Sequence, residues 1–382
     1  MAWLTFLSSV FFLLLAAHPF ILYPLTLIAI RRWRREPVDD GRSPVPLQTM
    51  ALCFCAYNEE RVIPEKVANL RELRRATPGL EILAYVDGAT DRSAALLREN
   101  EGEFTVRVSA DRLGKTHGMN ELLSLTSASI VVFTDANVIV DPRALVNLRR
   151  YFADPRVGCV CGHLRYVNAG ATPTAATGTL YWRLEEWIKQ LETDTGSAMG
   201  ADGSLFGIRR SLHRPVPDGL IDDMFVSLSI LCDGYRVIRA ADVTAYEQSA
   251  TSAREEFRRK IRIGCQCFNV HRLIWPRLRR CGALTVYKYV SHKLLRWVSG
   301  YSLAAAAVLF LLSMVLFDLS GVGAALGVLA LVVLFLGSRG YGKFPAQSWN
   351  IVCALVGTGL GIWYSMRGEQ FRTWTPATSV RD

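Results

Sequence analysis

Charged side chains in the middle of the chain have the types and positions that a metal-bound diphosphate would need. Asp87 and Asp135 each follow an apolar run of strand length, so each carboxylate lies where a buried strand would end. Lys115 opens a predicted helix, and the adjacent acids Asp222 and Asp223 follow farther along the chain. In an α/β sheet, ligands bind at the carboxyl ends of the strands. These residues therefore predict a site for a diphosphate and a divalent cation at that edge of a sheet.

Transfer of a sugar from a nucleotide diphosphate requires a site that neutralises the diphosphate, orients the sugar and deprotonates the acceptor hydroxyl. Mg²⁺ or Mn²⁺ is the usual neutraliser and prefers oxygen ligands, so Asp135 and Asn137 are the candidate metal ligands. The ammonium of Lys115 at a helix N-terminus also favours an anion. Either Asp222 or Asp223 could act as the general base, provided that it lies within hydrogen-bond reach of the acceptor.

Each of these residues also has an ordinary structural explanation. Acids at strand ends are common turn and cap residues, and two adjacent acids can simply cap a helix. Asp87 precedes Gly88, and an Asp-Gly pair often forms a turn. The small residues around Asp202 would let a sugar approach the backbone, but they would also suit an ordinary loop. The individual residues therefore leave both interpretations open.

Apolar runs at both ends of the chain predict membrane segments. Residues 1–30 contain no Asp, Glu, Lys or Arg, and about 20 apolar residues are enough to cross a bilayer. A histidine and two prolines interrupt this run, so a kinked span or a partly interfacial segment fits it. The basic cluster at 31–35 follows the run, which favours an uncleaved anchor over a signal peptide. Two or three C-terminal spans are predicted from the apolar runs 298–317, 319–336 and 351–366.

The net charge of +10 comes largely from basic residues beside the apolar runs, at 31–35 and 254–296. This placement indicates cytoplasmic loops of an inner (plasma) membrane protein, with a cytoplasmic central domain, rather than a nucleic-acid-binding surface. The nine cysteines have neither the spacing of a disulfide framework nor that of a zinc site. We expect them to be packing residues in a reducing compartment.

The central region alternates apolar runs of strand length with helical candidates. This alternation predicts βαβ units and an α/β fold with a mostly parallel sheet. The strand candidates are 50–56, 82–86, 104–108, 130–133 and 157–161. The predicted parts are an anchor at 1–30, a basic linker at 31–46, a cytoplasmic catalytic domain at 47–250, amphipathic interfacial helices at 251–297, transmembrane helices at 298–366 and a tail at 367–382.

Seven short motifs follow one another between about Cys53 and Arg296. They are Ala56-Tyr57-Asn58-Glu59-Glu60, Val86-Asp87-Gly88-Ala89-Thr90-Asp91, Gly114-Lys115 with Asn120, Thr134-Asp135-Ala136-Asn137, Gly200-Ala201-Asp202-Gly203 before Arg209-Arg210, Asp222-Asp223 with Gly234-Tyr235-Arg236-Val237, and Ser291-His292-Lys293. In this order they resemble the motifs of inverting, membrane-bound glycosyltransferases of family 2, which have a GT-A nucleotide-sugar fold. Relatives include the poly-N-acetylglucosamine, chitooligosaccharide, hyaluronan and cellulose synthases.

The resemblance implies a nucleotide pocket lined by Ala56, Asn58 and Glu59, with Asp87 on the uridine of a UDP-sugar. It also implies further substrate contacts outside that pocket. These are assigned to Lys115, Asp202, Asp222 and Arg262.

The resemblance also implies the two central roles. Asp135 is the expected metal-site carboxylate, with Mg²⁺ or Mn²⁺ as the cofactor, and Asp223 is the expected catalytic base. Asp223 is preferred to Asp222 because its distance of eleven residues from Gly234 matches the family's Glu-Asp motif.

Two departures from the family pattern affect the metal site and the expected product, respectively. The metal motif is usually Asp-x-Asp but ends here in Asn137, and the Gln-x-x-Arg-Trp motif of processive members is reduced to 259–263, which keeps Arg262. We therefore expect one or a few sugars to be added to a lipid-linked or oligosaccharide acceptor. A processive synthase and a non-catalytic nucleotide-sugar-binding subunit are the alternatives. Membrane lipids and a homodimer or export partner are the other expected partners.

Overall fold

A mixed sheet of eight strands forms the centre of the computed structural model, which describes residues 1–38, 48–168 and 170–376. Parts of the predicted linker at 31–46 and tail at 367–382 lie outside these residues. The strand order is β3-β2-β1-β4-β7-β6-β8-β5. The strands are β1 Met50–Ala56, β2 Glu81–Asp87, β3 Thr105–Ser109, β4 Ile130–Asp135, β5 Ile139–Val140, β6 Val157–Tyr166, β7 Leu205–Arg209 and β8 Arg236–Glu247.

The strand directions confirm the predicted α/β fold with a mostly parallel sheet. Strands β3, β2, β1 and β4 are parallel neighbours, and β6 pairs with β8 in parallel. Strand β7 joins these two halves by antiparallel pairing with both β4 and β6. The alternation of apolar runs did not predict β7 or β8. The result is one curved sheet in which β1, β2 and β4 end at the same edge.

Helices cover both faces of this sheet and extend beyond it at both ends of the chain. Around the sheet they are α3 Ile63–Ala76, α4 Ser93–Arg98, α5 Lys115–Ser124, α6 Ala144–Tyr151, α7 Pro173–Asp194, α8 Asp222–Cys232 and α9 Ala253–Leu278. At the ends they are α1 Ala2–Ala17, α2 Leu22–Trp33, α10 Ala283–Tyr289, a π-helical turn Val290–Leu294, α11 Leu295–Leu316, α12 Ser320–Ser338 and α13 Lys343–Met366.

Two buried apolar layers fix these helices on the sheet. One layer joins one sheet face to α5, α8 and α9, with Leu122, Leu228 and Val270 fully buried. The other joins the opposite face to α3 and α6, with Leu70 and Leu148 fully buried. Burial of apolar surface is the main driving force for folding. The two layers therefore stabilise the sheet and fix the position of the strand ends that carry the predicted site.

The predicted N-terminal anchor is divided into two helices that differ in direction by 62°. Helix α1 runs beside α11, where the Ser9 hydroxyl donates to the Ala306 carbonyl at 2.9 Å and the Trp3 and Phe317 rings are 5.1 Å apart. Helix α2 instead packs on α7 through the fully buried side chain of Tyr23. The first 30 residues therefore do not form one straight helix, as the interrupting His18 and prolines indicated.

Among the residues that the structure describes, three helices are long and apolar enough to cross a membrane: 283–316, 320–338 and 343–366. The bent pair α1–α2 could supply a fourth span. The first of the three contains α10, the π-helical turn and α11. The predicted boundary at 297, between interfacial helices and spans, lies within this helical segment.

Helix α13 packs along α9 through glycines that bring the two backbones together. A Cβ added at Gly264 would lie 2.9 Å from the carbonyl oxygen of Thr358, so a larger residue would not fit. After α13 the chain turns back onto the central domain. The Gln266 side-chain amide on α9 donates to the Phe371 carbonyl at 2.7 Å, and the Asn269 amide donates to the Glu369 carbonyl at 3.1 Å. The described part of the tail thus contacts the catalytic domain.

Candidate active site

Four predicted charged residues meet around Gly203, at the carboxyl end of β4. The Lys115 ammonium lies 2.8 Å from Asp135 Oδ1 and 3.6 Å from Asp222 Oδ2. A Cβ added at Gly203 would lie 3.2 Å from Lys115 Nζ and 3.3 Å from Asp223 Oδ2. Because residue 203 has no side chain, the ammonium and the carboxylates can lie close to its backbone. The sequence prediction therefore brought together residues that are neighbours in space.

Asp223 lies in the first turn of α8, where acids interact favourably with the helix dipole. Its Oδ1 accepts a hydrogen bond from the backbone N–H of Met224 at 2.5 Å. Burial and the neighbouring Asp222 carboxylate raise the pKa of Asp223 to about 7, although Lys115 opposes the rise. Asp222 Oδ2 is buried and has no hydrogen-bond partner among the described residues. A carboxyl group with a pKa near neutrality suits general acid–base chemistry.

Lys115 provides a permanent positive charge in the middle of these acids. Burial alone would lower the pKa of Lys115, but Asp135 and Asp222 raise it above its ordinary value. Gly114 has a positive φ of 99°, which lets the chain turn sharply into α5. This turn aims the lysine at the strand end.

Asn137 faces an acid that the sequence analysis did not identify. Its side-chain amide donates to Glu247 Oε1 at 3.0 Å, at the end of β8. Burial raises the pKa of Glu247 to about 7, and Asp135 adds to the rise. The signal in the sequence was the same as for Asp135, an acid after an apolar strand, but β8 itself was not predicted.

The residues of the predicted nucleotide pocket lie beside the acid cluster rather than in it. Ala56 ends β1, and the buried Asp87 accepts from the backbone N–H groups of Leu113 and Gly114 at 2.7 and 3.0 Å. Asn58 accepts from the backbone N–H of Thr90 at 2.8 Å. These carboxylate and amide groups therefore fix the loops around the pocket.

Glu59 is a buried member of the same pocket wall. Its exposed fraction is 3%, and its backbone N–H donates to the Ser93 hydroxyl at 2.8 Å. This contact fastens the loop after β1 to the start of α4. The Glu59 side chain is therefore buried, and the backbone of this residue fixes the loop.

The C-terminal segment closes one side of this pocket through residues that the sequence analysis missed. The Arg112 guanidinium lies 3.6 Å above the Tyr57 ring and donates to the Trp374 carbonyl. The Trp374 and Tyr57 rings are 6.1 Å apart in an edge-on arrangement. No local sequence pattern could have predicted this contact, because it joins residues more than 250 positions apart.

Two further predicted residues lie at the sides of the acid cluster. Asp202 accepts from the buried Lys189 ammonium at 2.7 Å. Arg262 on α9 donates to the Gln266 side chain at 3.0 Å. Burial lowers the pKa of Arg262, whereas Asp135 and Asp223 act in the opposite direction, so its guanidinium is electrostatically coupled to the cluster.

Within the described residues, no group of three or more His, Cys, Asp or Glu side chains could hold a metal ion. Asp135 and the amide oxygen of Asn137 are the oxygen donors at the end of β4. A cation such as Mg²⁺ is often held by one or two carboxylates together with substrate phosphates. The donor set thus fits a cation that binds together with a diphosphate.

The fold is similar to the GT-A fold of solved glycosyltransferases. A solved structure of a mannosyltransferase from Pyrobaculum calidifontis, in complex with GDP-Man and Mn²⁺, superposes with a TM-score of 0.71. The two are 22% identical, and the match covers 94% of this chain and 99% of that one. At this identity the likeness shows the fold.

Residues 52–216 match the family described as glycosyl transferase family 2. A beta-monoglucosyldiacylglycerol synthase of Nostoc sp. is 24% identical over 220 residues, 54% of this chain and 46% of that protein. An O-antigen chain rhamnosyltransferase of Salmonella typhimurium is 23% identical over 190 residues, 47% of this chain and 60% of that protein. The chain thus spans about half the length of these relatives.

Proposed function

We propose that the protein transfers a sugar, with inversion, from a nucleoside-diphosphate sugar to an acceptor at the membrane surface. The observation that carries this proposal is the convergence of Lys115, Asp135 and Asp223 on the backbone of Gly203. A sugar diphosphate needs a positive charge, acidic groups and a backbone that it can approach closely. The Lys115 ammonium, the carboxylates of Asp135 and Asp223, and Gly203 provide these features at the edge of the sheet. The match to family 2 and the GT-A fold support the same reaction class.

In the proposed reaction Asp223 removes the proton of the acceptor hydroxyl as its oxygen attacks the anomeric carbon. Its pKa of about 7 leaves a substantial fraction ionised at neutral pH, and a base of that strength accepts a proton readily. The bond to the diphosphate breaks on the opposite side of the sugar. Lys115 and Arg262 then neutralise the negative charge that develops on the leaving group.

Asp135, with Asn137, would hold the divalent cation, which is Mg²⁺ or Mn²⁺. When bound, this ion offsets the charge of the diphosphate. The ion pair with Lys115 fixes the orientation of the Asp135 carboxylate beside Gly203. The similar mannosyltransferase with Mn²⁺ supports this assignment.

A UDP-sugar is the proposed donor, and a lipid is the proposed acceptor. Ala56, Asn58, Glu59 and Asp87 form the nucleotide side of the site. The names of the glucosyldiacylglycerol synthases support a diacylglycerol-type acceptor, and the apolar helices provide its route from the bilayer. Asp202 and Asp222 would contact the transferred sugar.

We also propose that the membrane is crossed by α1, α11 and α12, with α2 and α13 at the cytoplasmic interface of the inner membrane. Both ends of α13 support this: its start packs on Gly337 at the end of α12, and Ser365 at its other end donates to Asn269 on α9 at 2.6 Å. The connection 317–319 on the opposite side contains no Lys or Arg. This arrangement follows the positive-inside tendency.

The proposal is tested with purified protein in lipid, a panel of UDP- and GDP-sugars, and Mg²⁺ or Mn²⁺. We expect nucleotide release and a labelled, extractable glycolipid with a UDP-sugar. A long polymer would indicate a processive synthase instead. Nucleotide binding without turnover of any donor would contradict the transferase assignment and indicate a binding subunit.

A further inference from the structure

The motif Ser291-His292-Lys293 lies outside the acid cluster, in the π-helical turn between α10 and α11. π-helical turns are rare and are often found at functional sites. His292 is fully buried, with its Nδ1 2.7 Å from Glu192 Oε1 and its Nε2 3.1 Å from Glu185 Oε2. Both ring nitrogens therefore lie within hydrogen-bond distance of a buried carboxylate, so the ring links α7 to the turn.

Glu192 connects this turn to two other parts of the molecule. Its Oε1 also accepts from the Tyr23 hydroxyl of α2 at 2.5 Å. Its Oε2 accepts from the backbone N–H of Met199 at 2.9 Å. Tyr23 and Glu192, like His292, are fully buried. The Glu192 carboxylate therefore links three parts of the molecule: α2, the π-helical turn before α11, and the loop that begins at Met199.

The loop 199–203 forms one wall of the acid cluster. Its last residue, Gly203, borders Lys115 and Asp223, as described above. Its middle is held by the hydrogen bond from the Ala201 N–H to the Ser227 hydroxyl at 2.9 Å. The loop is thus fixed at its start by Glu192 and lies against the catalytic acids at its other end.

We infer that Glu192 is a positioning residue, which with Tyr23 and His292 holds the loop 199–203 in place against the catalytic acids. The inference rests on the proposed transferase function. Hydrogen bonds in a buried, low-dielectric network are strong and rigid, so they transmit the position of one element to another. The loop would then take its position from α2 and from α10–α11, which the membrane orients.

The test compares His292→Ala and Tyr23→Phe with the wild-type protein in lipid nanodiscs. A misplacement of about 1 Å can cost roughly 100-fold in rate, so we expect kcat to fall by about 10- to 100-fold in His292→Ala. Tyr23→Phe should lose less in the same direction. The Kd for nucleotide should stay unchanged in both, and His292→Asn, which keeps a donor near the Nδ1 position, should restore part of the rate.

The matched control is Tyr287→Phe, since the Tyr287 hydroxyl bonds Thr26 at 2.5 Å on the same α2 surface without a contact to Glu192. Its kcat should equal that of the wild type. Hydrogen–deuterium exchange supplies a readout that does not need turnover: exchange of 199–203 should rise in His292→Ala and Tyr23→Phe but not in Tyr287→Phe. Unchanged exchange would overturn the inference, even if turnover were absent and the proposed function had failed.

Discussion

The acid at the start of α8 gives the sharpest prediction for a single residue. Asp223→Asn keeps the shape of the side chain but removes the base, so we expect kcat to fall by roughly 10²–10⁴, the usual contribution of general base catalysis. Donor affinity should remain close to that of the wild type. Turnover and nucleotide binding are measured separately. Asp218→Asn, at an exposed acid before the same helix, is the control. Wild-type turnover in Asp223→Asn would make Asp222 the next candidate.

The pKa of Asp223 predicts how the rate depends on pH. Burial and Asp222 raise this pKa to about 7, and the base works only when it is deprotonated. The rate should therefore be constant well above pH 7, fall to about half near pH 7, and drop about tenfold for each further pH unit below it. Asp223→Asn should lack this decline. A wild-type rate that is constant down to pH 5 would contradict the assignment.

The residues of the candidate site differ in how well the sequence predicts that they belong to it. Asp135, Lys115, Asp222 and Asp223 could be grouped because strand ends and helix starts meet at one sheet edge, whatever the details of packing. Glu247 could not be grouped with them, because its strand was not recognised. The contacts of Trp374 depend on where α13 ends, which no local pattern determines.

At the level of elements, the apolar pattern predicted whether a segment is a helix or a strand better than it predicted the direction of that segment. The strands of the parallel half were visible as uninterrupted apolar runs. The short antiparallel strand β7 was not, since the run 205–208 is interrupted by Gly207. In residues 1–30 the histidine and the prolines indicated the break between α1 and α2, but the new direction of α2 depends on the packing of Tyr23 on α7, which the sequence did not show.

The packing of α13 on α9 gives a prediction at this scale. Gly361 lies against the backbone of Ile261 and Cys265, so even one methyl group has no room. Gly361→Ala should lower the free energy of unfolding by about 1–3 kcal/mol, the usual cost of overpacking. The control is Gly327→Ala on α12, where nothing lies within 4 Å of the added Cβ. Denaturant titration in detergent measures both. Equal stabilities would show that the two helices do not pack as described.

For the whole molecule, the proposed topology predicts where the C-terminus lies. The tail contacts α9 through Phe371 and Glu369, so it should lie on the same side of the membrane as the catalytic domain. Reporter fusions after Asp382 should therefore give a cytoplasmic signal, and fusions within 317–319 a periplasmic one. A periplasmic C-terminus would mean that α13 crosses the membrane, and it would contradict the proposed interfacial position.

The central claim is a single-step transfer in which one base activates the acceptor. The most direct measurement is the anomeric configuration of the labelled product, determined by NMR on lipid extracted after incubation of purified protein with an α-linked nucleotide sugar. One displacement at the anomeric carbon inverts it, so the account predicts a β-linked product that wild-type protein forms and Asp223→Asn scarcely forms. An α-linked product would contradict the proposed reaction, because retention requires a different mechanism at this site.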